Sequence, residues 1–145
     1  MATELEVIQF ARRLSYDIVD YAAEKKMRIP LRSFDYYVKN MRLAVDYLLE
    51  RFHSEFQNLA IKFSGLPSIC ESFTRCADKL FDDKVYNWWR IFTLYACTAC
   101  LADMCASTLD RQGLVKKIGE TLCNYMCDNL TPWIHSQGGW VSYIA

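Results

Sequence analysis

The chain has 145 residues, enough for one domain that buries roughly two-thirds of the surface its unfolded form would expose. A composition that is 52% apolar and 14% aromatic excludes a disordered tail, and 17 basic residues balance 17 acidic ones, which removes any electrostatic argument for nucleic acid. The start carries Glu4 and Glu6 and no basic run, and no long apolar run follows Trp140, so the expectation is a soluble intracellular protein with no secretory signal.

The elements follow in chain order. Val7, Ala11, Leu14, Ile18 and Tyr21 recur at steps of four and three, the stripe of an amphipathic helix that Thr3 and Glu6 can open as a capping box. Lys25, Lys26 and Pro30 read as its end. A second stripe at Val38, Met41, Val45, Leu48, Phe52, Phe56 and Leu59 predicts one long helix, with Arg42, Asp46, Glu50 and Arg51 on wet faces. Ser64-Gly65-Leu66 before Pro67 reads as a stop, and Ser68 with Glu71 as the capping box of a helix carrying Ile69, Phe73, Cys76 and Leu80.

After the break FDDKVYN, the segment from Trp88 to Ala106 is apolar on nearly every side, with Arg90 and Asp103 its only charges. Its uncharged core is too short for a membrane span of about twenty residues, so it predicts a helix enclosed by the others. Beyond Asp110 to Gly113, Leu114, Ile118, Leu122 and Tyr125 mark a helix expected to return antiparallel beside it. Thr131-Pro132 reads as N-cap and first helical residue of a short helix ended by Gly138, with a last turn from Gly139 and Trp140. No segment sustains the alternation of a strand. The predicted fold is all-α, a single domain over residues 1–145 of seven or eight helices round one hydrophobic central helix.

Seven cysteines in an unsecreted chain argue against a disulfide framework. Cys97 with Cys100 and Cys123 with Cys127 have ligand-like spacing, yet they sit in apolar helical runs and not in the loops that hold structural zinc; packed thiols and no cofactor are the expectation. An enzyme is the other alternative class. The chain has only His53 and His135, with no nucleophile elbow, phosphate loop or His-Glu-x-x-His signature, so no catalytic activity is expected.

Two stretches carry a resemblance. NLTPWIHSQGGWVSYI is similar to the second homology motif of the B-cell lymphoma 2 family of apoptosis regulators, in which Pro-Trp-Ile precedes Gly-Gly-Trp. KLFDDKVYNWWRIFTLYA resembles the family's first homology motif, Leu-Phe with an acidic residue ahead of Asn-Trp-Gly-Arg-Ile. Met41, Val45, Asp46 and Leu48 fit a degenerate third motif, and FARRLSYDIVDYAAEKK fits the family's first helix, so the likeness runs from about Val7 to Ile144. The missing anchor and the short link between the first two helices look most like the compact viral members.

The resemblance implies a bundle that protects cells by holding the amphipathic helix of a pro-apoptotic family member in a surface groove, read by anchors at i, i+3, i+4 and i+7. Carried over by motif position, the groove residues are Leu48, Phe52, Phe56 and Leu59 on the second helix, Cys76 and Leu80 on the fourth, and Asn87, Trp89 and Arg90 at the start of the central one. Arg90 is then the fixed cation for the partner's aspartate, with pairing to its own Asp82 or Asp83, or simple solvation at a helix start, as the alternatives. Trp89 stands where the family has glycine and is expected to narrow the groove; Thr98 and Ala99 replace a glycine pair and add core bulk. Trp133 and Trp140 are expected to hold the tail against the bundle. A cytoplasmic location follows, in the host cell for a viral member, with recruitment to mitochondria through partners and at most peripheral contact with membrane. A pro-death, membrane-permeabilising role of the same fold and self-association through the groove face stay open as alternatives.

Overall fold

The computed structural model describes residues 2–27, 36–64, 68–108 and 111–143; the stops read at Pro30 and at Gly65 to Pro67, together with Asp110 and Ile144, lie outside them. Among the described residues the chain forms six α-helices of twelve residues or more, α1 (Glu4–Met27), α2 (Tyr36–Arg51), α3 (His53–Ser64), α4 (Ile69–Leu80), α5 (Trp88–Ala106) and α6 (Leu114–Tyr125), then a six-residue α7 (Thr131–Ser136). A π turn, Met126–Leu130, joins α6 to α7, and a 3-10 turn, Trp140–Tyr143, follows. The all-α expectation holds; seven is reached only by including the short α7.

Helix α5 is the axis. Ile91, Leu94, Tyr95, Ala96, Leu101, Ala102 and Cys105 are buried along it, under α1, α2, α3 and α6. Thr98 and Ala99 are buried too, and the Thr98 hydroxyl is satisfied by the Leu94 carbonyl at 2.8 Å. The stripe of α1 packs as expected, with Val7, Ala11, Leu14 and Ile18 in the core. Thr3 Oγ1 accepts the Glu6 N–H at 3.1 Å and Asn87 Oδ1 accepts that of Arg90 at 2.9 Å, so both side chains cap their helices.

Four local expectations are overturned. The long second helix is interrupted at Phe52, although the Phe52 N–H still reaches Leu48 O at 2.9 Å and the Phe56 N–H reaches Phe52 O at 3.1 Å. No proline or glycine stands there; beyond the break α3 carries Phe56 and Phe63 into the core and presents the Phe56 carbonyl to the Cys100 thiol at 3.4 Å. Arg42 is not on a wet face. Its guanidinium is buried between α1 and α2, donating from Nε to Asp17 Oδ2 at 2.9 Å and from Nη2 to Asp17 Oδ1 at 2.5 Å.

Ser68 precedes α4 but its side chain makes no capping bond, and the Glu71 carboxylate accepts from Arg75 at 2.9 Å on the exposed face, so neither half of the box forms. Nor is Thr131 an N-cap. Pro132 has no N–H to continue the helical ladder, and the chain widens into the π turn instead, where the Asn129 side chain donates to Tyr125 O and the Thr131 hydroxyl to Cys127 O, each at 3.1 Å.

The end of the described chain is closed by geometry that only glycine takes without strain. Gly138 N–H reaches His135 O at 3.1 Å and Gly139 N–H reaches Ile134 O at 3.0 Å, a Schellman motif with φ at +95° and +101°. A Cβ on Gly139 would stand 2.7 Å from the Cβ of Ala2, so the tail passes against the start of the chain. Trp140 then enters the core, its indole N–H donating to the Val7 carbonyl at 3.1 Å and its ring against Phe10, Trp88 and Tyr95. Trp133 packs edge-on against Trp88 at 5.2 Å. Both tryptophans hold the tail down, as the sequence implies.

Candidate functional site

Helix α5 is buried on all sides but one. Between its exposed first turn and its last residue, Ala106, the residues with partial access are Arg90, Thr93, Cys97, Cys100, Asp103 and Met104, which recur at steps of three and four along a single face. The flanks of that face are identified by contact. Arg90 Nη1 reaches the Leu80 carbonyl at the end of α4, and Cys100 bonds Phe56 of α3. The half-open stripe of α5 therefore runs between α3 and α4.

The nine carried-over residues differ in exposure. Leu48 and Phe56 are core, at 5% and 9% exposure, and Leu59 and Leu80 are half-buried at the flanks. Phe52, Cys76, Asn87 and Trp89 are exposed, with Phe52 under the Arg51 guanidinium at 5.6 Å and Trp89 edge-on to Phe92 at 5.9 Å. Arg90 sits at the N-terminal end of the stripe, its side chain 28% exposed. Thr93, Cys97, Cys100 and Met104 belong to the same face without having been read as site residues. A helix with hardly a charge offers no polar contrast by which to pick a face, and the cysteines invite a metal reading instead.

Enclosed space lies at the other end of the stripe. A cleft of about 390 Å³ opens between α1, α2, α3 and α5, with Tyr21, Val45, Leu49, Phe56 and Ala99 among its walls and Asp46, His53 and Asp103 at polar positions. It shares Cys100 and Asp103 with the stripe, but Arg90 is not among its walls. The cleft holds no residue of α4, so it is a separate hollow that touches the stripe at its C-terminal half and is not an elongated cleft running past Arg90.

The charge expected to wait for a partner is already paired. Arg90 Nη1 and Nη2 donate to the two carboxylate oxygens of Asp83 at 2.6 and 2.9 Å, and Nη1 also meets the carbonyls of Leu80 at 3.2 Å and Val85 at 2.9 Å. Hydrogen bonding from Arg90, then from the Val85 N–H, holds the Asp83 carboxyl down to about 2. Of the readings the sequence left open for Arg90, the intrachain pair, with Asp83, is the one this structure contains.

The thiols are electrostatically quiet. Burial pushes Cys97 up to about 12 and Cys100 up to about 11, which keeps both as thiols near neutral pH. Among the described residues no three ligating side chains converge on a metal position, and no helix is long and apolar enough to cross a membrane. His53 borders the cleft on α3, while His135 is half-buried on α7.

A family model described as apoptosis regulator proteins of the Bcl-2 family matches residues 41–140. Bcl-2-like protein 1 of Rattus norvegicus is 31% identical over 107 residues, covering 72% of this chain and 44% of that protein, and Apoptosis regulator R1 of Xenopus laevis is 31% identical over 107 residues, covering 72% and 45%. The chain spans less than half the length of these curated relatives. Among solved structures, a zebrafish pro-survival protein, NRZ, in complex with Bad BH3 matches with a TM-score of 0.83 and 18% identity over 97% of each chain. Chicken BOK matches with a TM-score of 0.77 and 21% identity, over 97% of this chain and 95% of that one. These two likenesses show that the fold is shared.

Proposed function

The chain belongs to the Bcl-2 family of apoptosis regulators, and we propose that it acts as a protective member, seating the amphipathic helix of a pro-death family protein along the half-open stripe of α5 between α3 and α4. The observation that carries this reading is the stripe itself. A central helix buried elsewhere leaves one face partly uncovered, with exposed Phe52 and Trp89 and half-buried Leu59 and Leu80 round it, and a cation at one end. Cys97, Cys100 and Met104, left half-open at steps of three and four, match the spacing of a helical ligand's anchors. The zebrafish structure supports it by analogy, since a chain of this fold there holds a Bad BH3 segment. The viral origin suggested by the compact outline gains no support, because the zebrafish chain is matched over 97% of its length by this one.

The test is calorimetric titration against synthetic amphipathic helices from several pro-death proteins, together with survival of cells given a death stimulus. Binding by at least one helix and delayed death are expected. Cytochrome release from isolated mitochondria on adding the protein would assign the opposite role. In the same titration Arg90→Ala is expected to weaken a bound helix that carries an aspartate by roughly tenfold, a moderate loss for a cation that is partly exposed and already paired; a helix that binds Arg90→Ala with unchanged affinity does not use this cation. Trp89, 59% exposed beside Phe92, restricts the set of ligands. Trp89→Gly is expected to let at least one excluded helix bind about tenfold tighter by removing an indole that the ligand must push aside, and an unchanged ranking of helices discards that role.

A further inference from the structure

We infer that Asp83 is a built-in competitor for the partner's acidic residue, occupying one fork of the Arg90 guanidinium and so setting how strongly the groove selects for a carboxylate. This rests on the helix-binding reading above. The pair is not an incidental surface contact. Asp83 meets Arg90 end-on through both oxygens, and two main-chain carbonyls, from Leu80 and Val85, fix the same Nη1. The loop is shaped to present it: Asp83 Oδ1 accepts the Val85 N–H at 3.0 Å, and Lys84 between them takes φ of +61°, which a side chain with a Cβ adopts uncommonly. The Lys84 N–H closes the turn on the Phe81 carbonyl at 3.1 Å.

A guanidinium has five N–H donors. With Nη1 and one Nη2 donor taken, Nε and the second Nη2 donor form a side-on fork for a second carboxylate. That carboxylate approaches a cation whose charge Asp83 has neutralised, and it meets Asp83 as a like charge. Whether it joins Asp83 or displaces it, Asp83 opposes it. Protonation does not relieve the competition at ordinary pH: the Asp83 carboxyl is depressed to about 2, so the pair persists until pH falls to that range.

Asp83→Asn tests this with little change of shape, since the amide oxygen can still accept the Val85 N–H. Two versions of one amphipathic helix, with Asp or Asn at its acidic anchor, are titrated against each protein. The wild type is expected to prefer the Asp helix weakly, and Asp83→Asn to raise that preference about fivefold through tighter binding of the Asp helix alone. Asp83→Glu should retain the wild-type preference, and the gain should vanish in the Asp83→Asn, Arg90→Ala double variant. An unchanged or smaller preference in Asp83→Asn, with helical content intact by circular dichroism, overturns the inference while leaving the helix-binding function standing. Failure of every helix to bind either protein overturns both.

Discussion

Replacing Arg42 with alanine is expected to lower the unfolding free energy by about 3 kcal/mol, read as a shift of the urea midpoint at unchanged slope. The side chains of Arg42 and Asp17 are 10% and 20% exposed, and the guanidinium meets both carboxylate oxygens in a planar fork. It also lies 4.9 Å over the ring of Tyr21, whose hydroxyl donates to Asp46 at 2.6 Å, so one cation organises two carboxylates and a phenol where α1 meets α2. Truncation leaves Asp17 in a half-buried position with no cation against it, and the lost attraction and the unpaid desolvation act in the same direction. Replacing both partners, Arg42→Met with Asp17→Leu, is expected to recover most of the loss, because no uncompensated charge then remains. If the single variant unfolds within a few tenths of a kcal/mol of wild type, the pair is not a structural tie.

The second large effect is expected at Trp140. Trp140→Ala removes a large ring that is 5% exposed and leaves the Val7 carbonyl without the indole donor it accepts from at 3.1 Å. A loss of about 4 kcal/mol is expected, roughly ten degrees in melting temperature for a chain of this size. Trp140→Phe should recover part of the packing and none of the hydrogen bond. A melting temperature within two or three degrees of wild type for the alanine variant would mean that the tail contributes little to the fold.

What could be read from the residues, and what could not, follows from the range of the interactions involved. The central helix was legible because a run almost free of charge, from Ile91 to Ala102, can only be enclosed or inserted in a membrane, and its length decides between them. The tail was legible because Gly138 and Gly139 declare their backbone and two indoles declare their burial. The break at Phe52 was not, since the periodic stripe continues through it and only the packing of Phe56 and Phe63 against α5 marks the bend. Arg42 was misplaced for a similar reason. Its partner lies 25 residues upstream on another helix, and no local pattern tells a charge that will be paired from one that will be solvated.

Arg90 falls between these cases. Its position at the first turn of α5 and both candidate acids were legible, but the choice between its own loop and a partner depends on the turn at Lys84 that aims Asp83 at it. The open face of α5 was legible least of all. Thr93, Cys97 and Cys100 are left half-open by where α3 and α4 lie, with α3 touching the face through the Phe56 carbonyl at Cys100, which is a property of how helices are placed and not of any one residue.

The hydrogen bond from the Trp140 indole to the backbone of Val7 has a kinetic consequence. Segments that stop at a surface usually peel away one turn at a time, and their amides exchange with solvent early and independently. Here peeling back the final turns would strip a donor from α1 and uncover the ring faces of Phe10 and Trp88 in the same event. The first and last stretches of the described chain should therefore open together or not at all, so that deuterium enters both at one shared rate.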